Sequence, residues 1–410
     1  MNVPGMAAPK GLHDCTPRQF VAICVDRRQE IEPGCLGISH MQSVSSLRSF
    51  MVQMLSMKCT GAGFQSRCRA MRPRAAGLRV HAASSVAQTH QAPPPADRRF
   101  DDYQPRTAIL FPGQGAQSVG MAGELAKAIP AAAALFDAAS DQLGYDLLRV
   151  CVEGPKARLD STAVSQPAIY VASLAAVEKL RAEGGEEALA AIDVAAGLSL
   201  GEYTALAFAG AFSFADGLRL VALRGASMQA AADAAPSGMV SVIGLPSDAV
   251  AALCEAANAQ VAPDQAVRIA NYLCDGNYAV SGGLEGCAAV EGLAKAHKAR
   301  MTVRLAVAGA FHTPFMQPAV EALSAALADT PLVAPRIPVV SNVDAAPHSD
   351  PGTIRTLLAR QVTSPVQWEG TLGALLGRGL ERSYEVGPGK VIAGIFKRVD
   401  RKHPVVNVTA

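Results

Sequence analysis

One serine lies in a setting that suits a nucleophile. Residues 197–201 read Gly-Leu-Ser-Leu-Gly and match the G-x-S-x-G pattern, with a predicted strand before them and a predicted helix after them. The glycines allow a strained turn that exposes the Ser199 hydroxyl, and the Leu200 N–H at the helix start is a natural donor to an oxyanion. The pattern therefore indicates a nucleophile elbow, although it also fits a plain turn in which Ser199 caps the helix.

A serine nucleophile needs a base, and His312 is the best placed histidine of the chain. It lies in a loop after a predicted strand at 301–307, whereas the other histidines fall in the N-terminal region or in charged and loop segments. No acidic residue between Ser199 and His312 lies in a pattern typical of a triad, so we expect a Ser–His dyad. Taken alone, His312 also fits a hydrogen-bonded structural histidine.

Arg224 is the candidate for binding a substrate charge. It ends an otherwise apolar helical pattern at 217–224, where a guanidinium can offer a planar, two-pronged site to a carboxylate. A surface salt bridge is the alternative for this arginine, and Arg219 in the same helix is its competitor.

The elements that would position these side chains alternate between strands and helices. Strand 107–111 runs into a Pro-Gly-Gln-Gly turn, strand 192–197 leads to Ser199, and helical patterns at 121–143 and 168–182 lie between them, which predicts an α/β fold. From 236 to 307 the order is strand, helix, two strands, helix, strand, which is ferredoxin-like. We therefore predict an α/β-hydrolase-like larger domain with an inserted ferredoxin-like smaller subdomain. We expect the larger domain to span residues 101–235 and 308–410 and the subdomain to span residues 236–307.

Composition excludes several classes of partner. A net charge of +2 and an aromatic fraction of 5% do not suit nucleic acid. The apolar run 203–215 is shorter than the roughly 18 to 20 residues that span a bilayer, so no membrane is expected. Five of the nine cysteines precede residue 100 and the rest lack C-x-x-C spacing, so we expect neither disulfides nor a metal site.

The N-terminal region differs from the rest of the chain. Residues 41–85 are rich in Ser, Ala, Met and Arg and contain no Asp or Glu, which is typical of an organelle transit peptide. We assign residues 1–100 to a disordered transit peptide and linker, with a basic tail as the alternative. Import into the chloroplast stroma fits slightly better than import into the mitochondrial matrix. Residues 1–40 contain acids, so Met41 is a candidate start.

Eight short motifs follow one another along the chain. They are Phe-Pro-Gly-Gln-Gly at 111–115, Ser-Gln-Pro-Ala at 165–168, Gly-Leu-Ser-Leu-Gly-Glu-Tyr at 197–203, Ala-Asn-Tyr at 270–272, Phe-His-Thr at 311–313, Ser-Asn-Val-Asp at 341–344, Pro-Val-Gln-Trp at 365–368 and Glu-Val-Gly-Pro-Gly-Lys at 385–390. In this order the motifs resemble those of malonyl-CoA:acyl-carrier-protein transacylases. The match extends from about residue 107 to 408, and the sequence from Gly197 onward looks like that of the plastid members.

The resemblance implies an S-malonyltransferase. The enzyme would carry malonyl from malonyl-CoA to the phosphopantetheine thiol of acyl carrier protein through a malonyl-serine, and so supply fatty acid synthesis. No metal or other cofactor is implied, and we expect a monomer. Two rival readings are a carboxylesterase-like hydrolase with the same elbow and a non-catalytic scaffold on this fold; the second would be expected to have lost the serine, histidine or arginine.

The resemblance also implies roles for single residues. Ser199 would be the nucleophile, His312 the base and then the acid, and Arg224 the clamp for the malonyl carboxylate. The backbone N–H groups of Gln114 and Leu200 would form the oxyanion hole.

Four further residues complete the implied site. The main-chain carbonyl of Gln361 would accept from the imidazole in place of a triad acid. Gln166 and Asn271 would line the pocket, and the bulk of Phe311 would exclude an α-methyl branch, which makes methylmalonyl-CoA a poor substrate. Many bacterial members carry His where this chain has Leu198, and we interpret that leucine as a variant of the pocket wall.

Overall fold

The protein is described by a computed structural model that covers residues 99–410. The predicted transit peptide and the Met41 start lie outside the described residues. Residues 99–410 form ten strands and thirteen α-helices, with 3-10 turns at Pro263–Gln265 and Pro314–Met316. The strands are β1 Thr107–Phe111, β2 Val194–Gly197, β3 Ser237–Ile243, β4 Val267–Cys274, β5 Asn277–Gly283, β6 Met301–Arg304, β7 Val339–Val340, β8 Val366–Gln367, β9 Arg382–Gly387 and β10 Val405–Thr409. The helices are α1 Gly123–Ala128, α2 Pro130–Leu143, α3 Leu147–Glu153, α4 Lys156–Asp160, α5 Thr162–Ala190, α6 Leu200–Phe208, α7 Phe214–Ala234, α8 Ser247–Asn258, α9 Leu284–Leu293, α10 Gln317–Asp329, α11 Pro351–Gln361, α12 Trp368–Gly377 and α13 Val391–Val399.

The larger sheet is parallel and has the order β10-β9-β1-β2-β7. Its central strands β1 and β2 are buried almost throughout, which explains their nearly continuous apolar sequences. The two strands pair from Ala108 with Val194 to Phe111 with Gly197. Because they are parallel and in step, the turns that follow Phe111 and Gly197 meet at one edge of the sheet.

The smaller sheet has the order β6-β3-β5-β4-β8. Strands β3 to β6 pair antiparallel, with α8 and α9 between them in the chain, so the ferredoxin-like order is confirmed. Strand β8 adds in parallel to β4, with Asn271 opposite Val366. The smaller sheet thus takes one strand from beyond residue 307, and the exact subdomain bounds stay a prediction.

The helices depart from the predicted patterns in two places. The apolar pattern 121–143 is two helices rather than one, because the chain is extended at Ile129 and Pro130 begins α2. The pattern 168–182 is the middle of α5, which buries most of its residues up to Leu180. Among the described residues, the helices are too short or too polar to cross a membrane.

Candidate active site

Ser199 occupies a strained turn between β2 and α6. Its φ is 53° and its ψ is −101°, a conformation that non-glycine residues rarely adopt. A Cβ on Gly197 would overlap the backbone of Gly201, and a Cβ on Gly201 would overlap the carbonyl of Phe111. The turn therefore requires both glycines. The Ser199 side chain makes no capping hydrogen bond to α6, so the alternative of a simple helix cap is wrong.

His312 is paired directly with this serine. Its Nε2 lies 2.8 Å from Ser199 Oγ, and its Nδ1 lies 2.8 Å from the main-chain oxygen of Gln361. A carbonyl can only accept, so Nδ1 carries the proton and Nε2 is free to accept one from the serine. Burial, and next the charge of Arg224, lower the pKa of His312 to about 4. The imidazole is therefore neutral at physiological pH, as a base must be.

Arg224 reaches the same hydroxyl from α7. The arginine is 1% exposed, and its guanidinium donates to Ser199 Oγ at 3.1 Å, Gln166 Oε1 at 2.7 Å and Gln361 Oε1 at 2.8 Å. Its buried Nε has no hydrogen-bond partner among the described residues. Burial lowers the pKa of Arg224. No acidic side chain of the described region forms an ion pair with it, so the surface salt bridge alternative is wrong.

Arg219, the competing arginine, has a different environment. Its side chain is 52% exposed, and it pairs with Asp216 at 3.0 Å one turn earlier in the same helix. It also donates to the Thr330 hydroxyl at 3.3 Å. Arg219 thus belongs to the surface, and the structure selects Arg224 as the arginine of the site.

The two predicted oxyanion donors lie at the meeting point of β1 and β2. Leu200 is the first residue of α6, where backbone N–H groups have no acceptor within the helix. Gln114 follows Gly113, whose α-carbon packs so closely on the carbonyl of Leu198 that a Cβ would overlap it. The turn that carries Gln114 therefore lies against the elbow. The Gln114 side chain donates to the Thr162 hydroxyl at 3.2 Å.

The three remaining predicted pocket residues are buried, and one of them hydrogen-bonds to Arg224. Gln166 is 1% exposed and joins the site through Arg224. Asn271 and Phe311 are buried, but no hydrogen bond within residues 99–410 connects their side chains to Ser199, His312 or Arg224. The Phe311 carbonyl accepts from the Ser281 hydroxyl at 2.9 Å, which fixes the chain just before the catalytic histidine.

Two residues of the site were missed from the sequence. Asn342, after β7, accepts from the Ser199 N–H at 2.6 Å and donates to the Gly197 carbonyl at 2.7 Å, so its side chain clamps the elbow from both sides. Glu202 is 3% exposed, and its Oε2 accepts from the Asn342 N–H at 3.0 Å and from Gln361 Nε2 at 2.6 Å. Burial raises the pKa of Glu202 to about 7. Both residues lie inside motifs noted above, but nothing in those motifs indicated their contacts.

A neutral imidazole on a strained serine, with a buried arginine beside the hydroxyl, suits the transfer of an acyl group that carries a negative charge. On this α/β scaffold, the site defines a serine-dependent acyltransferase. The chain matches the family described as "Acyl transferase domain" over residues 109–393, and it belongs to that family.

Individual relatives agree with this family. The chain is 42% identical over 299 residues to the "Malonyl-CoA-acyl carrier protein transacylase, mitochondrial" of Homo sapiens, covering 71% of this chain and 76% of the relative. It is 39% identical over 292 residues to the "Malonyl CoA-acyl carrier protein transacylase" of Salmonella typhimurium, covering 71% and 92%.

Solved structures show the same fold. The malonyl CoA-acyl carrier protein transacylase of Coxiella burnetii superposes with a TM-score of 0.70 at 35% identity, covering 75% of this chain and 95% of that one. A malonyl-transacylase solved in complex with its type II PKS acyl-carrier protein superposes with a TM-score of 0.69 at 35% identity, covering 74% and 96%. The predicted fold class and the predicted family are both confirmed.

Proposed function

We propose that the protein transfers malonyl from malonyl-CoA to the phosphopantetheine thiol of acyl carrier protein, with Ser199 as the carrier of the malonyl group. One observation supports this most: the buried guanidinium of Arg224 lies 3.1 Å from the nucleophile and has no carboxylate of the described chain as partner. A buried cation is stable only when it is well paired, and a carboxylate on the acyl group would supply the pair. The names of the relatives give the same donor and acceptor.

In the first half of the reaction, Ser199 Oγ attacks the thioester carbonyl while His312 Nε2 accepts the hydroxyl proton. The resulting oxyanion would accept from the N–H groups of Leu200 and Gln114, where one such donor is worth roughly 3 to 4 kcal/mol. The intermediate collapses, the C–S bond breaks, and His312 returns the proton to the CoA sulfur. The products are CoA thiol and malonyl-Ser199.

In the second half, the phosphopantetheine thiol of the carrier protein attacks the malonyl-serine ester. His312 accepts the thiol proton and passes it to Ser199 Oγ as the C–O bond breaks, which regenerates the free enzyme. Malonyl moves from sulfur to oxygen to sulfur with no change in oxidation state, so the proposed reaction uses the protein's own side chains and backbone N–H groups and needs no cofactor. Because two substrates react in turn at one serine, the kinetics are expected to be ping-pong.

Acyl carrier protein is the proposed protein partner, and the solved complex of a relative with its carrier protein supports it. We propose supply of fatty acid synthesis as the role, and the monomer as the working state. For location, the relatives from Homo sapiens, Drosophila melanogaster and Mus musculus are all named mitochondrial, which favours the matrix over the chloroplast stroma. Imaging residues 1–100 fused to a fluorescent protein distinguishes the two compartments.

Radiolabelled malonyl-CoA tests the proposed function. The wild-type enzyme should retain label on the protein and pass it to added carrier protein, whereas Ser199→Ala should do neither. Equal labelling of the two proteins would refute the proposal. Rapid release of free malonate without carrier protein would favour the hydrolase instead.

A further inference from the structure

Gln361 is a shared support of the base and the arginine. Its main-chain oxygen faces His312 Nδ1, and its side-chain Oε1 accepts from Arg224 at 2.8 Å. Its Nε2 donates to the main-chain oxygen of Ser199 at 2.9 Å and to Glu202 Oε2 at 2.6 Å. The side chain is fully buried, so no water can replace a lost partner.

The two ends of this amide are not interchangeable. The Ser199 carbonyl and the ionised Glu202 carboxylate, the partners of Nε2, can only accept, and the guanidinium that faces Oε1 can only donate. A rotation of the amide by 180° would turn its N–H groups toward Arg224 and its oxygen toward Glu202 and the Ser199 carbonyl. The carboxylate is therefore the side chain that, together with the Ser199 carbonyl, holds the Nε2 end of Gln361 away from the arginine.

The same carboxylate oxygen also supports the elbow. Glu202 Oε2 accepts from the Asn342 N–H, and the Asn342 side chain in turn clamps the backbone at Ser199 and Gly197. Two chains of hydrogen bonds thus start from one buried oxygen. One runs through Asn342 to the nucleophile, which every acyl donor needs. The other runs through Gln361 to Arg224, on which a carboxylated donor depends more than an uncharged one.

Burying an ionised carboxylate costs free energy unless hydrogen bonds or ion pairs offset the loss of its hydration. Here burial opposes ionisation, and the hydrogen bonds from Asn342 and Gln361 favour it. Glu202 also lies on the first turn of α6, where the helix dipole favours negative charge. The contacts that stabilise its charge are therefore those that reach the active site.

We propose that Glu202 is a positioning residue for substrate selection: through its hydrogen bond to Gln361 Nε2, it holds the amide, and with it Arg224, in the geometry that favours malonyl over acetyl donors. Glu202 itself contacts neither the acyl group nor the reacting atoms in this role. It acts through Gln361 on the arginine.

Three substitutions separate this role from simple stabilisation. Glu202→Gln keeps an oxygen that can accept both N–H groups. The Ser341 hydroxyl also hydrogen-bonds to Glu202, and the new amide nitrogen can donate to that hydroxyl. Glu202→Leu keeps the approximate volume and removes the acceptor. Glu385→Leu is the matched control, because Glu385 is also a buried carboxylate, and it accepts from the backbone of α13, at Val391, Ile392 and Ala393.

The experiment measures kcat/KM for acyl-enzyme formation from malonyl-CoA and from acetyl-CoA. Glu202→Leu should lower the malonyl value about 10- to 100-fold more than the acetyl value, the range expected for a lost hydrogen bond to a charged group. Glu202→Gln should stay within a few fold of the wild-type ratio. Glu385→Leu should lower the melting temperature and leave the ratio unchanged.

If Glu202→Leu has the same malonyl-to-acetyl ratio of kcat/KM as the wild type, the proposal is overturned, whatever the loss in overall rate. Should that variant fail to fold, Glu202→Asp withdraws the carboxylate by one methylene, and the same test applies to it. Because this role presupposes the proposed function, wild-type acylation is measured first. No malonyl transfer by the wild type refutes the function itself, whereas transfer with unchanged selectivity in the variants refutes only the role of Glu202.

Discussion

Replacing Arg224 with methionine tests the proposed carboxylate clamp most directly. Methionine fills much of the same volume and keeps the helical propensity of α7, so the main loss is the guanidinium. The substitution removes hydrogen bonds to Gln166, Gln361 and Ser199 at 2.7, 2.8 and 3.1 Å. It also leaves a malonyl carboxylate, once bound, without a cation in a buried site.

The magnitude follows from these contacts. Removing one partner of a buried ion pair costs about 3 to 5 kcal/mol, which corresponds to a loss of roughly 10² to 5 × 10³-fold in kcat/KM with malonyl-CoA. Acetyl-CoA has no carboxylate, so it loses only the hydrogen bond from Arg224 to the nucleophile, about 1.5 to 3 kcal/mol. With middle values of about 4 and about 2 kcal/mol for the two losses, the malonyl-to-acetyl ratio should fall about 30-fold.

Single-turnover labelling with the two radiolabelled donors measures this ratio. Arg219→Met is the matched control, since Arg219 lies on the same helix with a 52% exposed side chain, and it should leave the ratio unchanged. Thermal melting of both variants checks that the fold survives. If Arg224→Met and the wild type give the same ratio, the clamp is refuted, however much the overall rate changes.

Other predictions concern the base, the elbow and its packing. Acylation should stay constant from neutral pH to about pH 5 and fall to half near pH 4, because the neutral form of His312 persists to its lowered pKa; half-loss near the ordinary imidazole value of pH 6.5 would contradict this. Asn342→Ala should slow acylation by both donors about 10- to 100-fold without changing their ratio, as measured by the same labelling. Gly201→Ala should abolish folding or lower the melting temperature strongly, because its Cβ overlaps Phe111. Gly373→Ala, on an open helical position, should be neutral or stabilise by about 0.5 to 1 kcal/mol, and similar melting of the two alanine variants would contradict the packing argument.

The sequence determined what depends on neighbours along the chain. The strand at Thr107–Phe111 appears at its predicted bounds, because a threonine and four apolar residues that end at a Pro-Gly turn have few alternatives. The elbow at Ser199 was predicted for the same reason, since its glycine spacing and its place between strand and helix are local. Strands β8 and β10 were not predicted. Strand β8 has two residues, and it is a strand only because β4 lies beside it.

The tertiary structure decided what depends on partners far away in the chain. Arg219 and Arg224 lie on one helix and differ little in sequence setting, yet only the second is buried against the nucleophile. The Gln361 carbonyl that faces His312 is a backbone atom, which every residue type provides, so only the resemblance to a family had indicated it.

The same limit explains why Glu202 and Asn342 were missed. Ser199 is separated from Asn342 by 143 positions, and Glu202 from Gln361 by 159. A hydrogen bond across such a separation leaves no periodicity or spacing in the sequence, because it exists only after the sheets and helices have packed. The sequence therefore specified the nucleophile and its local strain, and the packing of the two sheets and their helices supplied the buried network that holds it.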